Sequence, residues 1–456
     1  MTGRKDGATS LPSASRESTS QSAFRFWPFR LVGSALRVPL YRSSSALVLT
    51  TAFNAGLGLV FWTLAARLYS VEDVGKGAAA VASLQLVSML GCTGLTPALI
   101  RLIPPSRSGT RRLVQGIYLA GVTLAVVCGI GLLVATDLFI EPLGVPGIVY
   151  LIAVPIFVLF TLQDGALIGL RRTAWVPAEN AVYGVVKIIL LVAFSAGGAW
   201  GIFVSWSISA VLLVVPINLL LFLKFIPQHA SQPLGEQEEF SGSEVRRFAG
   251  GNHISGLLMA VPDFLMPIIV LQIEGAENTA FFFAAWSLVW PLRLIGVNIA
   301  NAFTAQAASD ESRIGDLWYK GSRLILAIFV PLVLILTLGS YPLLRLLFGP
   351  EYATNGDTLM RLLAPGLLPC AFLALAVALA RVRRQISRLL ALSAAYFAVS
   401  LPLSIALISA NGIDGAGLAW LLSQVVVGVL ALGIWRLGLL DRREQVELSE
   451  SPAMEI

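Results

Sequence analysis

The segment 248–303, FAGGNHISGLLMAVPDFLMPIIVLQIEGAENTAFFFAAWSLVWPLRLIGVNIANAF, contains two apolar runs that are each long enough to cross a membrane, which takes about 20 residues of helix. Asp263 lies near the middle of the first run and Arg293 near the middle of the second. A charge at the centre of a bilayer costs about 3 kcal/mol on the most lenient scales. We therefore expect each charge to have a partner, a water-filled cavity or a function, and neither to face lipid.

A stripe of residues on the second run is predicted to form the wall of a cavity. Its members recur every three or four positions, which places them on one face of a helix: Trp286, Trp290, Arg293, Val297 and Asn301. An opposing wall from the first half of the chain is predicted to contain Asn54 and Ser88. Our hypothesis is that the two walls enclose a path for an anionic, lipid-linked solute.

The composition of the whole chain is that of a polytopic membrane protein. Of its 456 residues, 56% are hydrophobic and 13% are charged, and the mean hydropathy is +0.80, far above the range of soluble globular domains. The net charge of +6 fits the excess of basic residues on the cytoplasmic side of membrane proteins. No basic patch interleaved with exposed aromatic residues occurs outside the membrane flanks, which argues against nucleic acid as a partner.

Metal and disulfide chemistry are not predicted. The three cysteines, Cys92, Cys128 and Cys370, lie in apolar runs without CxxC spacing, so we interpret them as packing residues. The chain has two histidines, which is too few for a multi-histidine metal centre.

The ends of the chain differ from its middle. Residues 1–22 are polar and predicted to be disordered, whereas residues 23–45 mix aromatic residues with arginines. This pattern predicts an amphipathic segment on the anionic inner leaflet; a solvated basic tail is the alternative. Residues 439–456 are predicted to be a cytoplasmic tail. A cleaved signal peptide fits poorly, because the first long apolar run starts only near Ala46.

Twelve apolar runs of membrane-spanning length predict an all-α fold with two six-helix lobes. The N-lobe covers 46–224 and the C-lobe covers 248–438, and a polar linker, 225–247, joins them. The predicted spans are 46–67, 78–101, 113–136, 146–169, 175–196, 200–223, 249–272, 279–303, 322–345, 357–380, 386–409 and 414–436.

The distribution of basic residues predicts the orientation. With these spans, 26 of the 32 lysines and arginines fall on one side and 4 on the other, while Lys187 and Arg293 lie within spans. Because basic residues collect on the cytoplasmic side, we predict that both termini are cytoplasmic and that the protein resides in the cell membrane.

The two lobes are predicted to be internal repeats. With an offset of 204 residues, the segment 67–84 aligns with 271–288; with an offset of 212, ALIGLRR at 166–172 aligns with ALARVRR at 378–384. Six spans per unit give both units the same orientation, so the repeat is parallel, about an axis along the membrane normal.

The segment from Arg67 to Ala80, RLYSVEDVGKGAAA, combines a span end, an acidic turn at Glu72 and Asp73, Gly75 and a span of small residues. In this segment and in its twelve spans the chain resembles the polysaccharide exporters, O-antigen (Wzx-type) flippases of the MOP superfamily, which also contains the MATE drug exporters and the lipid II flippases. The resemblance implies a two-lobed, V-shaped transporter with a cationic central cavity. The implied cargo is an undecaprenyl-pyrophosphate-linked oligosaccharide, moved from the inner to the outer leaflet, and polysaccharide synthesis machinery is an implied partner.

A polar stripe on the fifth predicted span also indicates a ligand. Glu179, Tyr183 and Lys187 are spaced four residues apart and share a helix face, with Lys187 near the membrane midplane. An ammonium and a guanidinium, from Lys187 and Arg293, both suit a phosphate-bearing ligand. The alternatives are that Lys187 pairs with Glu179 or extends to the interface, and that Arg293 pairs with Asp263.

Asp263 is the first candidate for ion coupling, and Glu179 is the second. Pro262 and Pro267 flank Asp263, and we predict that they break the seventh span, so that the carboxylate and freed carbonyl groups bind H⁺ or Na⁺. A salt bridge to Arg293 is the simpler role for Asp263.

The sequence predicts a transporter that flips an anionic polyprenyl-linked glycan and is not an enzyme. Two alternatives remain at this point. A multidrug or cation antiporter of the same fold requires a net acidic cavity. An integral-membrane polysaccharide polymerase or ligase commonly carries a long outer loop with acidic, His or Arg groups, whereas the predicted outer loops here are short and contain no histidine.

Overall fold

A computed structural model describes residues 39–135, 145–231, 242–309, 314–383 and 385–450. Every regular element in these ranges is helical, and none is a strand. The predicted tail at 1–22 and most of the predicted interfacial segment lie outside the described residues. Two compact units are distinguished, residues 1–51 and residues 52–456; within unit 1 the described residues begin helix α1, and unit 2 contains all the remaining elements.

The described residues of the first half form eight α-helices. They are α1 (Pro39–Leu68), α2 (Val71–Cys92), α3 (Leu95–Ser106), α4 (Thr110–Ala135), α5 (Gly147–Gly169), α6 (Trp175–Ala193), α7 (Gly198–Leu220) and α8 (Ile226–Ala230). A π-helical turn, Leu221–Phe225, connects α7 to α8, so helical structure extends into the predicted linker as far as the described residues go.

The second half contains two very long helices with internal breaks. Its elements are α9 (Gly242–Ser309), α10 (Ile314–Leu338), α11 (Ser340–Leu347), α12 (Pro350–Val382) and α13 (Ile386–Glu450). Gly275 (φ 82°) interrupts α9 and Gly412 (φ 63°) interrupts α13, because only glycine adopts such dihedrals readily. Each long helix therefore consists of two arms, 242–274 and 276–309 in α9, and 386–411 and 413–450 in α13.

The helices are compatible with the predicted twelve spans. In the part of the chain that the structure describes, nine helical stretches are long and apolar enough to cross a membrane. Two of them are the broken helices α9 and α13, and the shorter apolar segment Phe53–Leu68 adds another. Two predicted spans are subdivided: Gly94, in the left-handed region with φ 75°, separates α2 from α3, and Gly339 separates α10 from α11.

The predicted break at Pro262 and Pro267 is wrong. Both prolines lie inside the first arm of α9, and the one residue with non-helical dihedrals in that helix is Gly275. A proline removes one N–H from a helix, and membrane-spanning helices tolerate this loss when their neighbours satisfy the freed carbonyl. Asp263 therefore lies on a continuous helix.

Helix α2 connects the two halves at the predicted outer end. At Gly75, a Cβ atom would lie 1.8 Å from the carbonyl oxygen of Ala276, so only glycine allows α2 and the second arm of α9 to approach this closely. Next to this contact, the Arg67 guanidinium donates to the carbonyl oxygen of Leu346 at 2.7 Å. We refer to these two contacts as the outer junction.

One feature of the turns occurs in both halves, although not at the predicted offsets of 204 and 212 residues. In the first half, Gly198 has φ +56° and the Asp73 carboxylate accepts a hydrogen bond of 2.9 Å from the N–H of Ala199 beside it. In the second half, Gly412 has φ +63° and faces the carboxylate of Glu274. The same pairing of an acidic residue with a left-handed glycine thus occurs in both halves.

Candidate functional site

The second half contains a buried network centred on Asp263, here called the C-cluster. Asp263 is 2% exposed and forms an ion pair with Arg293 across the two arms of α9. Its other oxygen, Oδ1, accepts a hydrogen bond of 2.6 Å from the hydroxyl of Tyr396, and Gln424 donates to that hydroxyl at 3.2 Å. Both arms of α9 and both arms of α13 therefore hold this single carboxylate.

Arg293 is paired but not enclosed. Its side chain is 20% exposed, and its guanidinium lies 4.0 Å from the centre of the Trp290 ring. Trp290 in turn contacts Phe264 and Trp286, with ring centroids 5.4 and 5.5 Å away. A guanidinium has five N–H donors, and the bond to Asp263 engages one nitrogen, Nη1. Arg293 can therefore offer further donors to an anion.

The ion pair between Arg293 and Asp263 was one of the two predicted roles of these residues, and the structure contains it. Trp290 contacts Arg293 as the predicted stripe requires, and Asn301 is exposed two helical turns farther along. Tyr396 and Gln424 were not predicted. The available signal was their polar side chains inside the eleventh and twelfth apolar runs.

The first half contains a different arrangement, which we call the N-cluster. Lys187 is 7% exposed, and its Nζ lies 4.1 Å from the ring centre of Trp206, 5.1 Å from that of Tyr183 and 5.3 Å from that of Phe61. Aromatic faces attract cations. Among the described residues, no carboxylate lies within 4.0 Å of this nitrogen. The alternative in which Lys187 pairs with Glu179 is therefore wrong: the aromatic rings surround the ammonium group instead.

Glu179 belongs to a separate group of buried polar side chains. It is 3% exposed, and its Oε1 accepts a hydrogen bond of 3.4 Å from the Gln163 amide. Gln163 in turn accepts a bond of 2.8 Å from Asn218, and Asp164 accepts one of 3.4 Å from Asn180, the residue that follows Glu179. Gln163, Asp164 and Asn218 were not predicted, although the dipeptide Gln-Asp inside the run 146–169 was a visible signal.

The structure gives the burial of the remaining predicted residues, Asn54 and Ser88, but no hydrogen bond or ion pair between them and the two cations. Asn54 is half-buried and Ser88 is 4% exposed, and the Oδ1 of the first and the hydroxyl of the second have no hydrogen-bond partner. Within the described residues, neither one forms a hydrogen bond or ion pair with Lys187 or Arg293. Their assignment to a wall of the cavity remains a prediction.

The chemistry of both clusters is electrostatic binding. The described residues include no group of three or more His, Cys, Asp or Glu side chains that could hold a metal ion. What the two clusters provide is an ammonium and a guanidinium, each held against tryptophan and each within the helical part of the protein. Groups of this kind can bind anions.

Comparisons with known proteins place this geometry in context. A family model described as polysaccharide biosynthesis protein matches residues 40–305, which is more than half of the chain. The succinoglycan biosynthesis transport protein ExoT of Rhizobium meliloti (strain 1021) is 24% identical over 347 residues, covering 71% of this chain. The match spans 66% of that relative, slightly less than two thirds of its length.

Solved transporter structures share the fold. An inward-facing MATE family multidrug transporter of the MOP superfamily matches with a TM-score of 0.62 at 17% identity, covering 89% of this chain and 96% of that one. The lipid II flippase MurJ in an inward closed conformation matches with a TM-score of 0.64 at 12% identity, covering 85% and 87%. The chain thus has a MATE-like fold.

Proposed function

Because the chain belongs to the polysaccharide biosynthesis protein family, we propose that this multi-pass membrane transporter flips an anionic, polyprenyl-(pyro)phosphate-linked oligosaccharide from the inner to the outer leaflet. The movement is by alternating access, in which one six-helix lobe rocks against the other. Membrane lipids surround the protein, both termini are cytoplasmic, and enzymes of polysaccharide synthesis supply the cargo.

The observation that carries this proposal is the environment of Lys187. A buried charge costs several kcal/mol unless it is paired, and no described carboxylate lies within 4.0 Å of the Lys187 ammonium. The aromatic rings around it offset part of this cost, by about 0.5–2 kcal/mol per contact. A cargo phosphate would provide the missing counter-charge. Its binding would then favour the conformation in which the phosphate contacts Lys187.

Arg293 supports the same cargo in a second way. Its side chain is 20% exposed and its pair with Asp263 holds it in a fixed position above Trp290. A fixed guanidinium binds two phosphate oxygens at once. Asn301 on the same helix face offers an amide to the sugar, and Asn54 and Ser88 belong to the opposing wall.

The transport is proposed to be coupled to H⁺ or Na⁺. Asp263 and Glu179 are the buried carboxyl groups that serve as coupling residues, at 2% and 3% exposure. When Asp263 takes up a cation, its attraction for Arg293 weakens, and more of the guanidinium's N–H donors become available to the cargo.

A multidrug or cation antiporter of the same fold is the second candidate. The feature that favours it is the aromatic cage formed by the side chains of Phe61, Tyr183 and Trp206, because aromatic side chains arranged in this way also bind organic cations. In this chain, however, the ammonium of Lys187 already lies within this aromatic cage. A cationic drug would have to displace it, so we rank this function below the flippase.

The test is transport in proteoliposomes that contain a polyprenyl-pyrophosphate-linked sugar. We expect the wild type to expose the sugar on the opposite leaflet and Lys187→Met to do so at least about tenfold more slowly, the equivalent of losing 1.4 kcal/mol. Lys320→Met, which removes an exposed lysine paired with Asp316, is the control and should transport normally. A wild type that exports ethidium and leaves the sugar in place would favour the antiporter.

A further inference from the structure

Two carboxyl groups of the first half lie side by side inside the protein. Asp164 is near the end of α5 and Glu179 is in the second turn of α6. Hydrogen bonds from Gln163 to Glu179 and from Asn180 to Asp164 join the two helices at this level and bring the two carboxyl groups together. Glu179 is 3% exposed. The turn that joins α5 to α6 is on the predicted inner side, so the pair lies near the inner ends of these helices.

Each carboxyl group has one oxygen that accepts a hydrogen bond and one that does not. Glu179 Oε1 accepts from the Gln163 amide and Asp164 Oδ2 from the Asn180 amide, both at 3.4 Å. The other oxygens, Glu179 Oε2 and Asp164 Oδ1, are fully buried and have no donor. A buried oxygen without a donor costs about 1–3 kcal/mol. A proton bound by the pair would turn one of these oxygens into a hydrogen-bond donor to the neighbouring carboxyl group.

Electrostatics favours the same arrangement. Two negative charges in contact inside a protein repel strongly, and burial removes the water that would screen them. With one proton, the pair carries a single negative charge spread over hydrogen-bonded oxygens. The described part of the chain offers no third carboxylate or histidine that could make this a metal site.

The groups around the pair do not neutralise its single negative charge. The hydroxyl of Tyr118 on α4 is buried and has no hydrogen-bond partner, and it lies close enough to Glu179 and Asp164 to interact with them electrostatically. Asn218 of α7 contributes a neutral amide through Gln163. On α6, Tyr183 and Lys187 follow Glu179 by one and two turns, and the Lys187 ammonium lies among aromatic rings instead of at the pair.

We propose that Asp164 and Glu179 form a proton-binding pair that holds one shared proton and that this proton is exchanged during the transport cycle. The proton comes from water on the side to which the pair opens and returns to water on the other side, and only O–H bonds are made and broken. The proton site does not depend on the identity of the cargo, whereas its use in coupling rests on the proposed function.

The test is carbodiimide labelling of the purified full-length protein, followed by mass spectrometry of its peptides. Carbodiimides react with protonated carboxyl groups in apolar surroundings. We expect an adduct on Glu179 or Asp164 at about pH 7 that declines as the pH rises, because the pair then loses its proton. Asp164→Asn places an amide donor beside Glu179, so Glu179 no longer needs the proton and its labelling should fall about tenfold.

Asp316→Asn, at an exposed carboxyl group, is the control and should leave the labelling unchanged. If Asp164→Asn does not fold, the wild type alone decides: absence of an adduct at both positions from about pH 6 to pH 8 overturns the proposal. Protection by Na⁺ at constant pH and ionic strength would also overturn it, in favour of a monovalent cation site. None of these measurements requires the cargo, so a failure of the proposed transport would be recognised separately.

Discussion

The two halves of the protein hold their buried cations in opposite ways. In the C-cluster, Arg293 is paired with Asp263, and Tyr396 donates a second hydrogen bond to that carboxylate. In the N-cluster, Lys187 lies among three aromatic rings, with no carboxylate of the described residues within 4.0 Å. The two halves therefore differ in how a buried cation is balanced.

We propose that the two cations have different tasks because of this difference. The pair of Arg293 and Asp263 is close to neutral, so it persists without a ligand and connects both arms of α9. The N-cluster keeps a net positive charge in an apolar environment, which is a favourable place for an anion. We therefore regard Lys187 as the main contributor to anion affinity and Arg293 as the group that orients the ligand.

The largest effect is expected from Arg293→Met. This change leaves Asp263 buried without its counter-charge, and removing one partner of a buried pair costs about 3–5 kcal/mol. Thermal unfolding in detergent should show the loss. The double variant Asp263→Asn, Arg293→Met removes both charges and should recover most of the stability. Equal instability of the single and double variants would contradict the role given to the ion pair.

A smaller loss is expected from Tyr396→Phe. It removes the hydroxyl that donates to Asp263 Oδ1 at 2.6 Å, and hydrogen bonds to charged groups contribute about 1.5–3 kcal/mol. The Gln424 amide also loses its acceptor. If the unfolding temperature of this variant equals that of the wild type, the C-cluster is held by the ion pair alone.

The smallest effect on stability, and one of opposite sign, is expected from Lys187→Met. No carboxylate among the described residues is left unpaired by this change, and the cost of burying the charge disappears. Lost contacts with the aromatic rings oppose this gain by about 1 kcal/mol. The variant should therefore be as stable as the wild type or about 1 kcal/mol more stable. A loss comparable to that of Arg293→Met would mean that the two clusters do not differ as described.

The sequence predicted the helices well and the polar contacts less well. The run 146–169 was predicted as a span, and α5 is Gly147–Gly169. This agreement is expected, because a bilayer requires a minimum length of apolar helix and polar turns mark where such a helix ends. Pro262 misled the prediction, since the effect of a proline on a helix depends on neighbours that are distant in sequence.

The polar contacts depend on tertiary structure for the same reason. Arg293 and Asp263 are 30 residues apart and could be matched as the two charges of adjacent spans. Tyr396, which donates to Asp263, is 133 residues away from it in the sequence, and no local pattern indicates such a contact. Likewise, the spacing of Glu179 and Lys187 allowed an ion pair, and only the packing of Trp206 against Lys187 shows that the ammonium lies elsewhere.

The central claim, that Lys187 provides the binding site for the phosphate of the cargo, is tested most directly by isothermal titration of the protein in detergent with farnesyl pyrophosphate. The wild type and Lys187→Arg should bind this probe, and Lys187→Met should bind at least about tenfold more weakly, since a charge-assisted hydrogen bond contributes about 1.5–3 kcal/mol. Equal affinity of Lys187→Met and the wild type would contradict the claim.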